Sequence, residues 1–454
     1  MTHSHIIRNS LNIKDENIIF DVNNYLCIEE KIKGVNYLVY QATLTYKPKA
    51  CHHCGSVNEN YSITKNGTKT STIKLGNIMF KPALLRLKKQ RYLCHECNRT
   101  FIAVTTLVNK YCFISNPIKN AIGFELAETQ SMTCIAKRVS VSPTTVIRLL
   151  ENSGKALEPS RFELPEHLSF DEFKSVKEAA GSMSFIFTNA QTHDIIDIVE
   201  NRQQRELIAY FQRYPNELRQ TVKTVTLDMY SPYLKVIHDC FPNAELIIDR
   251  FHIVQHINRA LNRLRIEIMK TVRYTRPRDY SKLKKQWKII LKNVWDVDFE
   301  TYGTHRLYDG LVTEKMMVNY LLSIDNQFQW VYDLINDLKW ALDAGDYEGF
   351  VAQLERSKER PVKRYVRTTF QTLNKYLGSI ENSCKYTLSN GHLEGINNKI
   401  KTIKRSGYGY RNFSHLRARI LISFKLKEKT EKEIRPLTFE EEKVINKQLN
   451  TKVA

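Results

Sequence analysis

Two cysteine pairs, Cys51-x-x-Cys54 and Cys94-x-x-Cys97, constrain this chain more than any other feature. Each tight loop turns two thiolates toward one side of an ion, and two such loops close a tetrahedral shell around Zn²⁺. The flanks "CHHCGS" and "CHECNRTF" read as turns. Between them, "STIKLGNIMFKPALLRLKKQRYL" alternates apolar and polar residues, the period of half-buried strands. Strands pinned by four thiolates make a zinc ribbon, expected over residues 51–101 with a structural metal. One pair alone would read as coincidence or a redox dithiol; two pairs without a thioredoxin-like strand–helix pattern favour zinc. His52, His53 and His95 are surplus to a complete shell. Cys27, Cys112, Cys134, Cys240 and Cys384 are isolated and expected in the core.

The ribbon is basic, and so is the whole chain: 69 basic against 48 acidic residues, a formal net charge of +21 over 454 residues. Such an excess favours a nucleic-acid or anionic-surface partner. With 42% apolar and 10% aromatic residues the chain is of the folded class. No apolar run approaches the length of a membrane span, and "MTHSHIIRNSLNIKDENIIF" lacks the apolar core of a signal peptide. A cytoplasmic protein with no membrane partner is expected, where disulfides are rare.

Directly after the ribbon, Asn116 to Gly154 reads as helices. Ile135, Ala136 and Val139 form one apolar face; "VSVSP" interrupts, with Ser142 as N-cap and Pro143 at the first helical position. A second helix follows with Val146, Leu149 and Leu150 inward and Thr144, Thr145 and Arg148 outward. Helix, tight turn and a second helix with small polar residues at its start match a helix-turn-helix entering a major groove. Many helical hairpins pack this way without touching DNA; the position behind a zinc ribbon favours the DNA reading.

Beyond the linker "EPSRFELPEH" the order is three strands, helix, strand, helix, strand, that of an RNase H-like domain. Asp171 lies within the strand "LSFDEF", Asp228 ends a later strand, and Asp249 stands at the junction of a strand and a helix. Phosphodiester cleavage with two Mg²⁺ ions needs hard oxygen ligands on rigid supports. Asp171 and Asp228 meet that need, and the third ligand is expected from a later helix that packs back on the sheet. Glu394, in a helix's first turn after "SNG", fits. Asp249 is a rival third ligand or an orienter of its neighbours. Carboxylates at strand ends also serve simply as caps and turn formers. His252 and His256, one helical turn apart, are expected in packing or DNA contact.

Glu394 heads a long basic run: no acid recurs until Glu428, while Lys399, Lys401, Lys404, Arg405, Arg411, Arg417, Arg419, Lys425 and Lys427 accumulate. Such a stretch suits a polyanion lying alongside. Asp171 to Asp228 spans 57 residues, whereas Asp228 to Glu394 spans 166 and must contain an insertion. Residues 263–385 read as helical and hold all four tryptophans, Trp287, Trp295, Trp330 and Trp340, expected mostly in that segment's core.

Taken together, "CHHCGS…CHECNRTF", "SFDEF", "TLDMYSPY", "IIDRFHIVQHIN" and "SNGHLEGINNKIKTIKRSGYGYRNFSHLRARIL" resemble the bacterial insertion-sequence transposases of the ISL3 family, in order and over nearly the whole chain. The resemblance implies a DDE-type transposase. Its zinc ribbon and helix-turn-helix would bind the element's terminal inverted repeats, and its RNase H-like domain would cleave and transfer strands with Mg²⁺ or Mn²⁺. By motif, Asp171, Asp228 and Glu394 are the first, second and third acids, with Asp249 and His252 of the "D-x-F-H" motif accessory. Thr144, Thr145, Arg148, Lys399, Lys401, Lys404, Arg405 and Arg411 are the expected DNA contacts. A homodimer or higher synaptic assembly on repeat and target DNA, associated with the nucleoid, follows from the reaction class.

The expected architecture is multidomain α+β: residues 1–110 with the ribbon, 111–160 helix-turn-helix, and an RNase H-like α/β core at 161–262 and 386–430. An all-α insertion at 263–385 interrupts that core, and a charged tail occupies 431–454. Two other readings share these motifs: a domesticated DNA-binding regulator with an idle centre, and a structure-selective nuclease.

Overall fold

The computed structural model describes residues 3–20 and 27–434. The expected tail therefore lies outside the described residues beyond 434. Two compact units emerge: residues up to 158 together with those from 400 onward, and residues 159–399.

In the first unit, helix α1 (His3–Ser10) precedes strands β1 (Ile18–Phe20), β2 (Cys27–Ile32), β3 (Val35–Leu44), β4 (Ile63–Ile78), β5 (Lys81–Cys94) and β6 (Arg99–Ile102). They form one sheet in which β3 and β5 run parallel and every other neighbour is antiparallel. Alternation along β5 buries Leu85 and Leu87 against Ile73 of β4 and Leu44 of β3. Helices α2 (Asn116–Ala127), α3 (Met132–Arg138) and α4 (Pro143–Ala156) follow. Ser131 and Ser142 cap α3 and α4 by accepting from the amides of Cys134 and Thr145, and Pro143 occupies the first turn of α4. Helix α17 (Phe413–Ile434) completes their core: Ala418 and Ile422 pack with Ile118, Ile122, Ile135, Val146 and Leu150. The expected segment 386–430 is thus shared between units: residues from 400 belong to the first, where α17 packs on α2 and α4.

Arg419 departs from the reading of that run as one polyanion-facing stretch. It is fully buried in α17 and donates to the carbonyls of Glu128, at the end of α2, and Gln130.

The second unit opens with β7 (His167–Lys174), β8 (Met183–Asn189) and β9 (Ile195–Val199), then α5 (Gln204–Phe211), α6 (Asn216–Arg219), β10 (Thr224–Leu227), α7 (Ser231–Cys240) and β11 (Glu245–Ile248). The sheet order is β11-β10-β7-β8-β9, with β7, β8 and β9 antiparallel and β10 and β11 parallel to β7. One face is an aromatic core: Phe170, Phe185, Phe187, Phe211 and Phe241 are all buried, and Phe170 stacks on Phe211 at 5.6 Å. Removing one such ring costs about 3–5 kcal/mol.

Helix α8 (Arg250–Thr271) leaves the sheet and leads through α9 (Pro277–Lys285), α10 (Trp287–Leu291), α11 (Glu314–Leu322), α12 (Asn326–Ala344), α13 (Tyr347–Arg356), α14 (Arg364–Lys375) and α15 (Leu377–Lys385). The expected all-α insertion is helical apart from the pair β12 (Gly303–Thr304) and β13 (Leu311–Val312). Of the tryptophans only Trp330 is in the core; Trp287, Trp295 and Trp340 are exposed. Of the isolated cysteines, Cys240 is buried while Cys27 and Cys134 are exposed. Helix α15 covers the edge of β11: Ser383 Oγ accepts from Ile248 N and donates to Ile248 O, and Asn382 donates to Leu246 O. Helix α16 (Gly391–Ser406) then follows. No helix among the described residues is long and apolar enough to cross a membrane.

Candidate active site

The register of the central strands brings two carboxylates together. Ser169 of β7 pairs with Thr226 of β10, so two residues further Asp171 stands beside Asp228 on the same side of the sheet. Adjacent strands lie about 4.8 Å apart. Both acids line one cavity of about 330 Å³, with Glu172, Tyr233, His252, His256 and Arg259. Asp171 Oδ1 accepts from the amide of Glu172 at 2.7 Å. Burial, reinforced by the charges of Asp228 and Glu172, pushes the Asp171 pKa up to about 6. The neighbouring Glu172 is already engaged: Tyr233 donates to it at 2.8 Å and Arg202 pairs with it.

A second cluster joins the pair at the head of α8. His252 Nδ1 lies 2.8 Å from Asp228 Oδ1 and 3.2 Å from Asp249 Oδ2. Asp249 is buried and occupies the N-cap position of α8, yet its carboxylate makes no cap bond and turns to the His252 ring. Burial opposes charge on His252, but Asp228 and Asp249 prevail and push its pKa up to about 10. Asp228, Asp249 and His252 each offer an atom within 4.8 Å of the others, a spacing a metal ion can span. Among the described residues, the other such group is the cysteine tetrad.

Glu394 arrives on α16, whose start is held at three points. Asn390 Nδ2 donates to Phe170 O at 3.0 Å, His392 Nε2 lies 2.8 Å from Thr188 Oγ1, and Asn397 Nδ2 donates to Asp171 Oδ2 at 2.7 Å. Leu393, Ile396, Ile400 and Ile403 form the buried stripe that seats the helix. Glu394 is exposed and does not line the cavity. It lies one turn before Asn397, and residues three apart on a helix have Cβ atoms about 5–6 Å from each other. Helical spacing puts Lys401 and Arg405, both exposed, on the face of Glu394. Arg411 is exposed, and Lys399 and Lys404 are half-buried.

In the first unit the four thiols converge. Cys51 Sγ lies 3.7 Å from Cys97 Sγ, and Cys54 Sγ 3.7 Å from Cys94 Sγ. A tetrahedron with Zn–S bonds of about 2.3 Å has edges of about 3.8 Å. The tetrad therefore fits a structural Zn²⁺. On α4, Thr144 and Arg148 are exposed and Thr145 is half-buried.

Asn390, Glu172 and Tyr233 carry functional geometry that spacing did not single out, and Asn397, which the sequence reading expects together with Asn398 to bond phosphates or cap locally, donates to Asp171.

A family model described as transposase, of the ISL3 group, matches residues 168–420, more than half of the chain. A second, described as the zinc-finger of transposase IS204/IS1001/IS1096/IS1165, matches residues 47–97. The transposase for insertion sequence element IS1001 of Bordetella parapertussis is 25% identical over 345 residues, 75% of this chain and 81% of that protein. An ATP-dependent protease of Lactococcus lactis subsp. lactis is 34% identical over 111 residues, 24% of this chain and 35% of its own length. That segment is too short to transfer an activity.

Proposed function

Because the chain belongs to the ISL3 family of transposases, we propose that it binds the terminal inverted repeats of a bacterial insertion sequence and cleaves and joins DNA strands there by a two-metal DDE mechanism. The sheet order with three antiparallel and two parallel strands supports the reading of an RNase H-like core. The observation that carries the reading is the convergence of β7, β10 and α16, with Asp171 beside Asp228 and bonded to the helix of Glu394.

The residues suit divalent cations. Asp171 and Asp228 share one cavity with Glu172, and Asp171 ionises only at a raised pKa, a penalty that a bound cation would remove. Asp171, Asp228 and Glu394 would hold Mg²⁺ or Mn²⁺, which activates the attacking oxygen and stabilises the leaving one. Asn397 fixes the Asp171 carboxylate. The Asp249–His252 pair orients Asp228 from behind, an accessory role. Lys399, Lys401, Lys404, Arg405 and Arg411 hold the phosphate backbone, which positions DNA without reading it. Sequence reading belongs to α3 and α4 acting as a helix-turn-helix, with Thr144, Thr145 and Arg148 toward the bases. A homodimer or higher synaptic assembly on repeat and target DNA follows from a reaction that joins two ends.

Asp171→Asn, Asp228→Asn and Glu394→Gln each test this reading on labelled repeat duplexes with Mg²⁺. Mobility shift should be retained while nicking and strand joining are lost. Full activity in any of the three removes that residue from the mechanism.

A further inference from the structure

The long hairpin of β4 and β5 ends in an unusual turn. Ile78 pairs with Lys81, leaving Met79 and Phe80 as its two central residues, with φ of 48° and 65°. Positive φ at both positions is the mark of a type I′ turn, which Asn-Gly adopts with least strain. Methionine and phenylalanine pay for this backbone without any return from packing: Met79 is 91% exposed and Phe80 100% exposed. The turn is therefore poorly chosen for stability and well chosen for presenting two apolar side chains to something outside the fold.

The tip is not a loose arm. Three residues before Phe80, Asn77 Nδ2 donates to Arg138 O at 2.6 Å, and Ser140 Oγ donates to Asn77 Oδ1 at 2.6 Å. Lys74 Nζ donates to Ser140 O at 3.2 Å. These bonds bolt the end of the hairpin to the turn between α3 and α4. Three extended residues span at most roughly 10 Å, so Phe80 lies within about that distance of Asn77, the residue bonded to the α3–α4 turn.

Charge identifies the occupant. Between Glu59 and Glu96 the ribbon carries eight basic residues, and from Thr129 to Leu150 the helices carry Lys137, Arg138 and Arg148; Lys81, Arg86 and Arg138 pair with Glu29, Glu30 and Glu125, which leaves an excess of eight cations. Such a surface opposes a second copy of itself and attracts a polyanion. An exposed aromatic ring within a cationic surface matches the apolar wedges that architectural proteins insert between base steps.

We propose that Met79–Phe80 is a DNA wedge: Phe80 enters the base stack of duplex DNA beside the site gripped by α3 and α4, unstacking a step next to the helix contact. The proposal rests on the repeat-binding reading above and adds to it a local deformation of the repeat.

The test replaces the tip by the sequence its turn prefers. The double variant Met79→Asn/Phe80→Gly should unfold at a temperature no lower than the parent, since Asn-Gly suits the turn. Its affinity for a duplex carrying the terminal repeat should fall roughly tenfold, the scale of one lost stacking contact. 2-Aminopurine walked along that duplex should brighten at one step with the parent protein and stay dark with the variant. Phe80→Trp should keep affinity, with its indole fluorescence quenched in the complex; this arm decides if the double variant proves less stable. Parent-like affinity and brightening in the double variant overturn the wedge, as does an unquenched indole. A change in oligomeric state of the DNA-free double variant instead makes the tip a contact between copies. Failure of the parent itself to prefer the repeat duplex over random DNA sinks the repeat-binding reading and the wedge with it.

Discussion

Asp171 is a carboxylate held where ionisation costs free energy. Its pKa in the folded chain is about 6, against 3.8 for the unperturbed group. Between those values the folded state binds more protons than the unfolded one, so stability falls as pH rises from 3.8 to 6, and above 6 the penalty is complete. In metal-free protein, Asp171→Asn should raise the melting temperature at pH 7, by on the order of 2–3 kcal/mol of stability, and leave it unchanged near pH 3.5. Added Mg²⁺ should stabilise the parent and not the variant; thermal melts at both pH values, with and without Mg²⁺, check each part. At this scale the sequence was partly legible. Asp171 and Asp228 could be picked out because each sits at a recognisable place in a strand. The partner of Asp171 could not, because Asn397 is 226 residues away and only the folded sheet brings them together. Arg419 misled for a related reason: in a run of cations nothing local distinguishes the one whose turn of helix faces inward.

Helix α12 shows what an element tolerates inside a core. Eleven of its nineteen residues are buried, among them Lys339, 2% exposed, whose Nζ reaches the carbonyl of Leu291 at 3.4 Å. Burial pulls its pKa down to about 8 from 10.5. Between those values the unfolded chain binds more protons, so stability rises with pH from 8 to 10.5, while below 8 the penalty is complete. Lys339→Met should therefore stabilise the protein at pH 7 by on the order of 3 kcal/mol, with the gain vanishing near pH 10.5; urea melts across that range measure it. Element types were legible wherever a period was strong, as in β5, β7 and α4. The two faces of α12 were not, since a helix enclosed by several neighbours loses the one-sided pattern that reveals a surface helix. The same ambiguity left Trp295 and Trp340 assigned to a core when they form an edge-to-face pair on the surface, 5.3 Å apart.

At the scale of the molecule, two compact units imply two stability transitions rather than one. The cysteine tetrad lies wholly in the first. Chelation of zinc should lower one calorimetric transition and abolish binding to the repeat duplex, while the transition of the sheet with Asp171 and Asp228 stays in place. A single transition displaced as a whole by chelation would show instead that the units melt together. The zinc-ribbon and transposase segments were legible from motifs; the closure of the first unit was not. The core of α2, α3 and α4 is completed by Ala418 and Ile422, and Arg419 ties down the end of α2 from the same helix. This return has a consequence in time. A ribosome adding about 5–20 residues per second needs on the order of 15–50 s to travel from α4 to α17. Throughout that interval the nascent helices lack their lid, and a prematurely terminated product never acquires one. Synthesis of α17 thus completes the core on which the proposed DNA-reading helices depend, so on that reading fragments that stop before residue 413 are poorly equipped to occupy the ends of the element.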